Sequence, residues 1–106
     1  MHQIVVYIPD SHLEQVKNAM FLAGAGQVGN YDCCSWQTLG QGQFRPQKNS
    51  APYVGSLGKL ELIAEYRVEM VCQDDLVHQV LKAIKSAHPY EEPAFSAWPI
   101  DFDVIE

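Results

Sequence analysis

The chain predicts an α+β fold, a ferredoxin-like plait of order βαββαβ, as one domain over residues 1–106. A four-stranded antiparallel sheet would carry two helices on one face. Three observations carry that prediction. Residues 59–72 alternate apolar with mostly charged side chains at period two, as a strand with one buried face does. Two segments, ending near Ala23 and Ala87, repeat apolar residues at helical spacing. Each helix lies between extended runs, and right-handed crossovers of the two βαβ halves place both on the same side of one sheet.

The totals suit that fold. At 47% hydrophobic and 19% charged residues, 106 residues supply one core without disulfide staples. The formal charge is −6 and the seven Lys and Arg are scattered, so the clustered cations that displace counterions from nucleic acid are missing. No apolar run approaches the roughly 20 residues that cross a bilayer, so neither nucleic acid nor a membrane is an expected partner. Met1-His2-Gln3-Ile4 enters a strand pattern with no signal-peptide features. Three cysteines, two of them adjacent, make a poor disulfide framework, and a reduced, cytoplasmic protein is expected.

The first element, Ile4 to Ile8, is a short β-branched and aromatic run that reads as a buried central strand stopped by Pro9-Asp10. Ser11 and Glu14 have capping-box spacing, and Leu13, Val16, Met20 and Ala23 form the apolar face of the first helix, with Gly24 as its C-terminal cap. Gly24-Ala25-Gly26-Gln27-Val28-Gly29 matches the dinucleotide fingerprint G-x-G-x-x-G. That fingerprint must follow a strand and open a helix, whereas this one follows a helix and leads into a strand, so the glycines read as turn residues.

A second strand is expected over residues 31–39, with Cys34, Trp36 and Thr38 on one face. Residues 40–58, with four Gly and two Pro, read as a loop long enough to have a function, and Phe44 and Tyr53 in it should not sit in water without purpose. The strand over 59–72 is about twice the usual length, and a strand that overshoots its own sheet often finds its pairing in a neighbouring subunit, which is expected here. Asp74 or Asp75 is expected to cap the second helix, whose stripe is Val77, Val80, Leu81, Ile84 and Ala87. A last strand falls in residues 94–100, and 101–106 read as a surface tail.

The polar chemistry concentrates in the elbow His88-Pro89-Tyr90-Glu91-Glu92-Pro93, where the second helix gives way to the last strand. Proline at 89 ends the helix and pushes His88 out of the α region, and proline at 93 sets the entry to the strand. Small-ligand binding is therefore assigned to His88, Tyr90, Glu91 and Glu92. A divalent cation would use His88 and Glu91, with Cys34 or Cys72 as a thiolate if the fold brought either near. The alternative is that His88 caps the helix and the Glu pair packs at a subunit contact. No catalytic residue is assigned: Cys33 and Cys34 lie in a strand, not at a helix N-terminus that would stabilise a thiolate.

Four stretches in order resemble a known family: Gly24-Ala25-Gly26-x-Val28-Gly29-Asn30-Tyr31-x-x-Cys34-Ser35-Trp36, Gly40-x-Gly42-x-Phe44-x-Pro46, Pro52-Tyr53-Val54-Gly55, and His88-Pro89-Tyr90-Glu91-Glu92-Pro93-Ala94. They resemble the YqfO-type domain of the Nif-three-like family, with Trp36 where the family has Phe. That domain is usually an insertion between two halves of a larger protein. The closing motif also resembles that of CutA proteins, which share the plait with PII signalling proteins. The resemblance implies a CutA/PII-like fold and a trimer or similar homo-oligomer. It also implies a non-enzymatic binding or sensor module for a small ligand or divalent cation. The alternative is a detached regulatory piece of, or partner to, a cyclohydrolase-like metal-dependent hydrolase, without a catalytic site of its own.

Overall fold

The computed structural model describes residues 1–102; the part of the expected surface tail over 103–106 lies outside the described residues. The elements run β1 (His2–Pro9), α1 (Leu13–Leu22), β2 (Trp36–Phe44), β3 (Glu61–Cys72), α2 (Val77–Ala87) and β4 (Phe95–Pro99). They form one antiparallel sheet of order β2-β3-β1-β4. The expected βαββαβ plait is what the chain adopts.

Between the sheet and the two helices lies the core: Ile4, Val6 and Ile8 of β1, Val68, Met70 and Cys72 of β3, Val16 and Met20 of α1, and Val80 and Ile84 of α2. Alternation in the strands and a three-to-four spacing in the helices bring these side chains to one layer. β1 sits between β3 and β4, with His2 opposite both Cys72 and Pro99, and the Ile100 N–H donates to the Met1 carbonyl at 3.0 Å.

The period-two pattern of β3 runs through its whole length, but the helices cover only half of it. Val68, Met70 and Cys72 are buried, whereas Leu60 and Leu62, in phase with them, are 52% and 55% exposed. β1 pairs with β3 only as far as Glu65, and beyond it β2 and β3 continue as a two-stranded ribbon to Phe44 and Glu61. The ribbon gives a molecule 53 × 23 × 22 Å with a radius of gyration of 15.0 Å, against about 13 Å for a compact domain of this size.

Three expectations are corrected. β2 starts at Trp36 instead of 31 and extends through Phe44, so the first residues of the expected loop are strand. Ladder bonds need only backbone, and the glycines that made this stretch resemble a loop make room on the ribbon: a Cβ on Gly42 would run into the Glu65 carboxylate. Neither helix has its expected side-chain cap. A short 3-10 turn precedes each, at Asp10–His12 and Asp74–Leu76, closed by the Leu13 N–H on the Asp10 carbonyl and the Leu76 N–H on the Gln73 carbonyl. Ser11 instead bonds His12 Nδ1 at 2.9 Å, and Asp74 bonds His2 Nδ1 at 2.7 Å.

The C-terminus of α1 does close on glycine. Gly24 has φ +112, its N–H reaches the Phe21 carbonyl, and the Ala25 N–H reaches that of Met20, the paired bonds of a Schellman motif. Gly26 then turns the chain at φ +80, with a Cβ there falling 2.9 Å from the Cys34 carbonyl oxygen. No phosphate-binding helix follows: the chain runs through the Val28–Tyr31 bridge into β2.

Candidate functional site

The elbow is built around His88, which is 6% exposed. It is the residue after α2, extended at φ −74 and ψ 137, as the following proline requires. Its Nδ1 accepts the Tyr90 N–H at 3.2 Å, so its Nε2 carries the proton and donates to the Tyr7 carbonyl at 2.7 Å. Both ring nitrogens are thus occupied, and the ring ties the elbow to the end of β1. Burial pushes the His88 pKa below its ordinary value, against the Tyr7 carbonyl and Glu65, which favour the charged form. The neutral ring is the stable one. Its side chain does not cap α2, since it bonds to the sheet instead.

Tyr90 stands against His88 with ring centroids 4.8 Å apart, and Phe44 and Tyr53 lie at 6.2 and 6.3 Å. These rings wall a cleft of about 360 Å³ on the open, helix-free side of the sheet, with Tyr7, Glu65 and the segment from Gln43 to Val54 completing the lining. Register explains the composition: Tyr7, Phe44 and Glu65 fall at the β-positions in phase with the charged face of β3. The Tyr90 hydroxyl is buried and has no hydrogen-bond partner among the described residues. Burial, and then the Glu65 side chain beside it, hold its pKa well above the ordinary 10.0.

Glu91 and Glu92 also line the cleft. Glu91 Oε2 accepts the Ala51 N–H at 2.7 Å, which ties the elbow to the loop after β2. That loop is closed at its base by Gly58 N–H donating to the Pro46 carbonyl at 2.7 Å. All four sequence-assigned residues are therefore brought together, three lining the cleft and His88 behind Tyr90.

The cysteines are elsewhere. Cys72 pairs with His2 at the opposite end of β1, five residues from Tyr7, or about 17 Å of strand. Burial, then Asp75 and Asp74, raise its pKa, and its thiol donates to the Gln73 carbonyl at 3.3 Å. Cys34 bonds through its N–H to Gly26, whose own N–H reaches Val71 at that same end. Among the described residues no three His, Cys, Asp or Glu side chains converge as a metal-ligand group. A cation on His88 would have to displace the Tyr7 carbonyl or the Tyr90 amide.

Sequence reasoning found Phe44, Tyr53 and the elbow but not Tyr7 or Glu65. Tyr7 lies within a run read as wholly buried, and Glu65 is one of three glutamates on β3. The signal for Glu65 was Gly42 on the facing strand, where a Cβ would run into that carboxylate.

Fold and cleft together define an α+β plait of the CutA/PII-like class with an aromatic and acidic cleft at its elbow. The fold is that of CutA from Archaeoglobus fulgidus, with a TM-score of 0.68 at 19% identity over 98% of this chain and 88% of that one. CutA from Xylella fastidiosa gives 0.70 at 18% identity, over 97% and 86%. A nearer match is a Bacillus cereus protein related to NIF3, with a TM-score of 0.81 and 39% identity over 95% of this chain and 26% of that one. By sequence the chain is 47% identical over 96 residues to a GTP cyclohydrolase 1 type 2 homolog of Mycobacterium leprae, covering 91% of this chain and 25% of the relative. The Bacillus subtilis homolog of the same name is 37% identical over 95% of this chain and 27% of the relative. No family model matches. The chain spans about a quarter of the length of the curated relatives it matches. It aligns with one segment of that NIF3-related protein and of these homologs, in keeping with the motif resemblance. Among the described residues no helix is long and apolar enough to cross a membrane.

Proposed function

We propose that this domain is a non-enzymatic, homo-oligomeric binding module whose elbow cleft holds a small ligand. The observation that carries the proposal is a pre-formed cleft with one unsatisfied group. Tyr90 is held from behind by His88, and among the described residues its buried hydroxyl makes no well-formed hydrogen bond, with only the Glu65 side chain beside it. An orphaned buried donor is expensive, and a ligand is a natural way to satisfy it. Tyr90, Glu91 and Glu92 would face the ligand and His88 would hold them in place. Among the described residues the cleft aligns no nucleophile with a base: the Ser50 hydroxyl donates to the Gln47 carbonyl at 2.7 Å. The test is a nuclear magnetic resonance titration with neutral, anionic and cationic aromatic compounds. Saturable shifts at Phe44, Tyr53 and Tyr90, lost in Tyr53→Ala, support the reading, and no shift with any of them overturns it.

The cation form of the proposal places a divalent metal on His88 and Glu91 and needs Nδ1 to release the Tyr90 amide. Affinity would then fall with pH as protons compete for the imidazole. Calorimetry with Co²⁺ separates the two occupants: saturable heat abolished by His88→Ala supports the metal, and its absence supports the organic ligand.

Assembly is supported by the ribbon. Leu39, 60% exposed, and Leu62, 55% exposed, lie on the helix-bearing side of the sheet but on the ribbon beyond the helices, with the exposed Leu60 just before it, so a second copy of the chain is the expected cover. A trimer is favoured. Sedimentation equilibrium showing a monomer at micromolar concentration would overturn it. The relatives' name and their greater length favour a second reading, a regulatory piece of a cyclohydrolase-like hydrolase, tested by whether cleft ligands alter the turnover of a full-length relative.

A further inference from the structure

We infer that the elbow cleft selects a flat organic cation, an aromatic ring bearing an amidinium or guanidinium edge, and rejects phosphorylated nucleotides. The inference rests on the binding-module reading above and narrows it to a chemical class.

Two features of the cleft point the same way. Its walls include three aromatic rings: Phe44, Tyr53 and Tyr90 line a space of about 360 Å³, which suits a one- or two-ring molecule, and Phe44 and Tyr53 lie tilted to Tyr90 at 52° and 46°. Aromatic faces attract a cation laid against them, more so where water is excluded. Among the described residues the charged groups in the lining are unbalanced, with Glu65, Glu91 and Glu92 against Arg45. One oxygen of Glu91 is committed to the Ala51 amide, whereas Glu65 has no such bond to the backbone among the described residues. A carboxylate accepts two parallel N–H donors from an amidinium in a fork-like pair, a geometry that an ammonium cannot reproduce. Laid against one of these rings, such a ligand would turn its donor edge toward Glu65. A triphosphate in the same place would meet three like charges and find one guanidinium.

The experiment titrates the 106-residue protein in its native assembly with benzamidine, benzamide, benzoate and guanosine triphosphate, following the ring resonances of Tyr53 and Tyr90. Benzamidine should saturate, benzamide should bind more weakly, and benzoate and the nucleotide should leave the rings unmoved. Glu65→Gln should weaken benzamidine by about tenfold, the loss of one charge-assisted pair. Glu92→Gln, at an exposed position, provides the same comparison should Glu65→Gln lose its fold. Glu14→Gln, on the far surface of α1, should change nothing. Benzoate or the nucleotide binding as tightly as benzamidine, or benzamidine affinity indifferent to both cleft substitutions, would overturn the inference while leaving a binding cleft in place. Silence from all four compounds would overturn it together with the reading it rests on.

Discussion

His88→Ala removes more than a surface contact. The wild-type ring bonds Tyr7 O through Nε2 and Tyr90 N–H through Nδ1, and is nearly inaccessible to water. Truncation leaves the carbonyl and the amide without those partners, at about 1–3 kcal/mol each, and opens a small cavity behind Tyr90. The expected loss is about 3–5 kcal/mol, a large share of the roughly 5–15 kcal/mol that holds a domain of this size together. The same ring makes stability depend on pH. Its folded pKa lies below the unfolded value near 6.5, so the unfolded chain binds more protons as the solution acidifies. That contribution is complete above the unfolded pKa and fades as pH falls through the folded one. Urea unfolding at a fixed protomer concentration, at pH about 7.5 and again at about 5.5, measures both effects. Wild type should lose stability between the two conditions, and His88→Ala should be weaker at both with a flatter dependence. A variant within about 0.5 kcal/mol of wild type at the higher pH, with its acid sensitivity intact, would refute this account of the elbow.

Tyr90→Phe removes a buried hydroxyl with no well-formed hydrogen bond among the described residues and should raise the stability of the ligand-free protein by up to about 1 kcal/mol, read as a higher urea midpoint; a lower midpoint would show that the hydroxyl is already paired, with Glu65 beside it or in the assembly. Gly42→Ala pushes aside only the flexible end of Glu65, so stability should fall by less than about 1 kcal/mol while the cleft resonances shift. Gly26→Ala meets the rigid Cys34 carbonyl at a left-handed φ and should lose about 1–3 kcal/mol in the same unfolding assay.

The plait was legible because its signals are repeated. Period two persists along β3, and the apolar spacing of α1 and α2 marks faces that only a sheet could cover. What escaped was local. Gly40 and Gly42 argue for a loop by propensity, yet the neighbouring strand supplies pairing that propensity does not see. Ser11 and Glu14 have capping-box spacing, but the chain enters the helix through the Asp10–His12 turn, where the Leu13 N–H donates to the Asp10 carbonyl. At the site, the elbow announced itself through two prolines and clustered polar residues. Glu65 became a cleft residue only when β2 and β3 paired, because its neighbours Phe44 and Tyr90 lie far from it in sequence.

The pairing of β1 with β4 has a consequence for how such a unit can be joined to other protein. With His2 opposite Pro99 and Ile100 bonded to Met1, a polypeptide entering at β1 and leaving after β4 does so from two points about 5 Å apart. Splicing the fold into a surface turn of a host therefore asks almost no separation of the host's two attachment points. The host sees little more than a longer loop, and closure entropy grows only with the logarithm of loop length. Relatives about four times as long as this chain contain the same segment, and its paired ends are the geometry that lets a compact unit be accommodated within a larger one without strain on either.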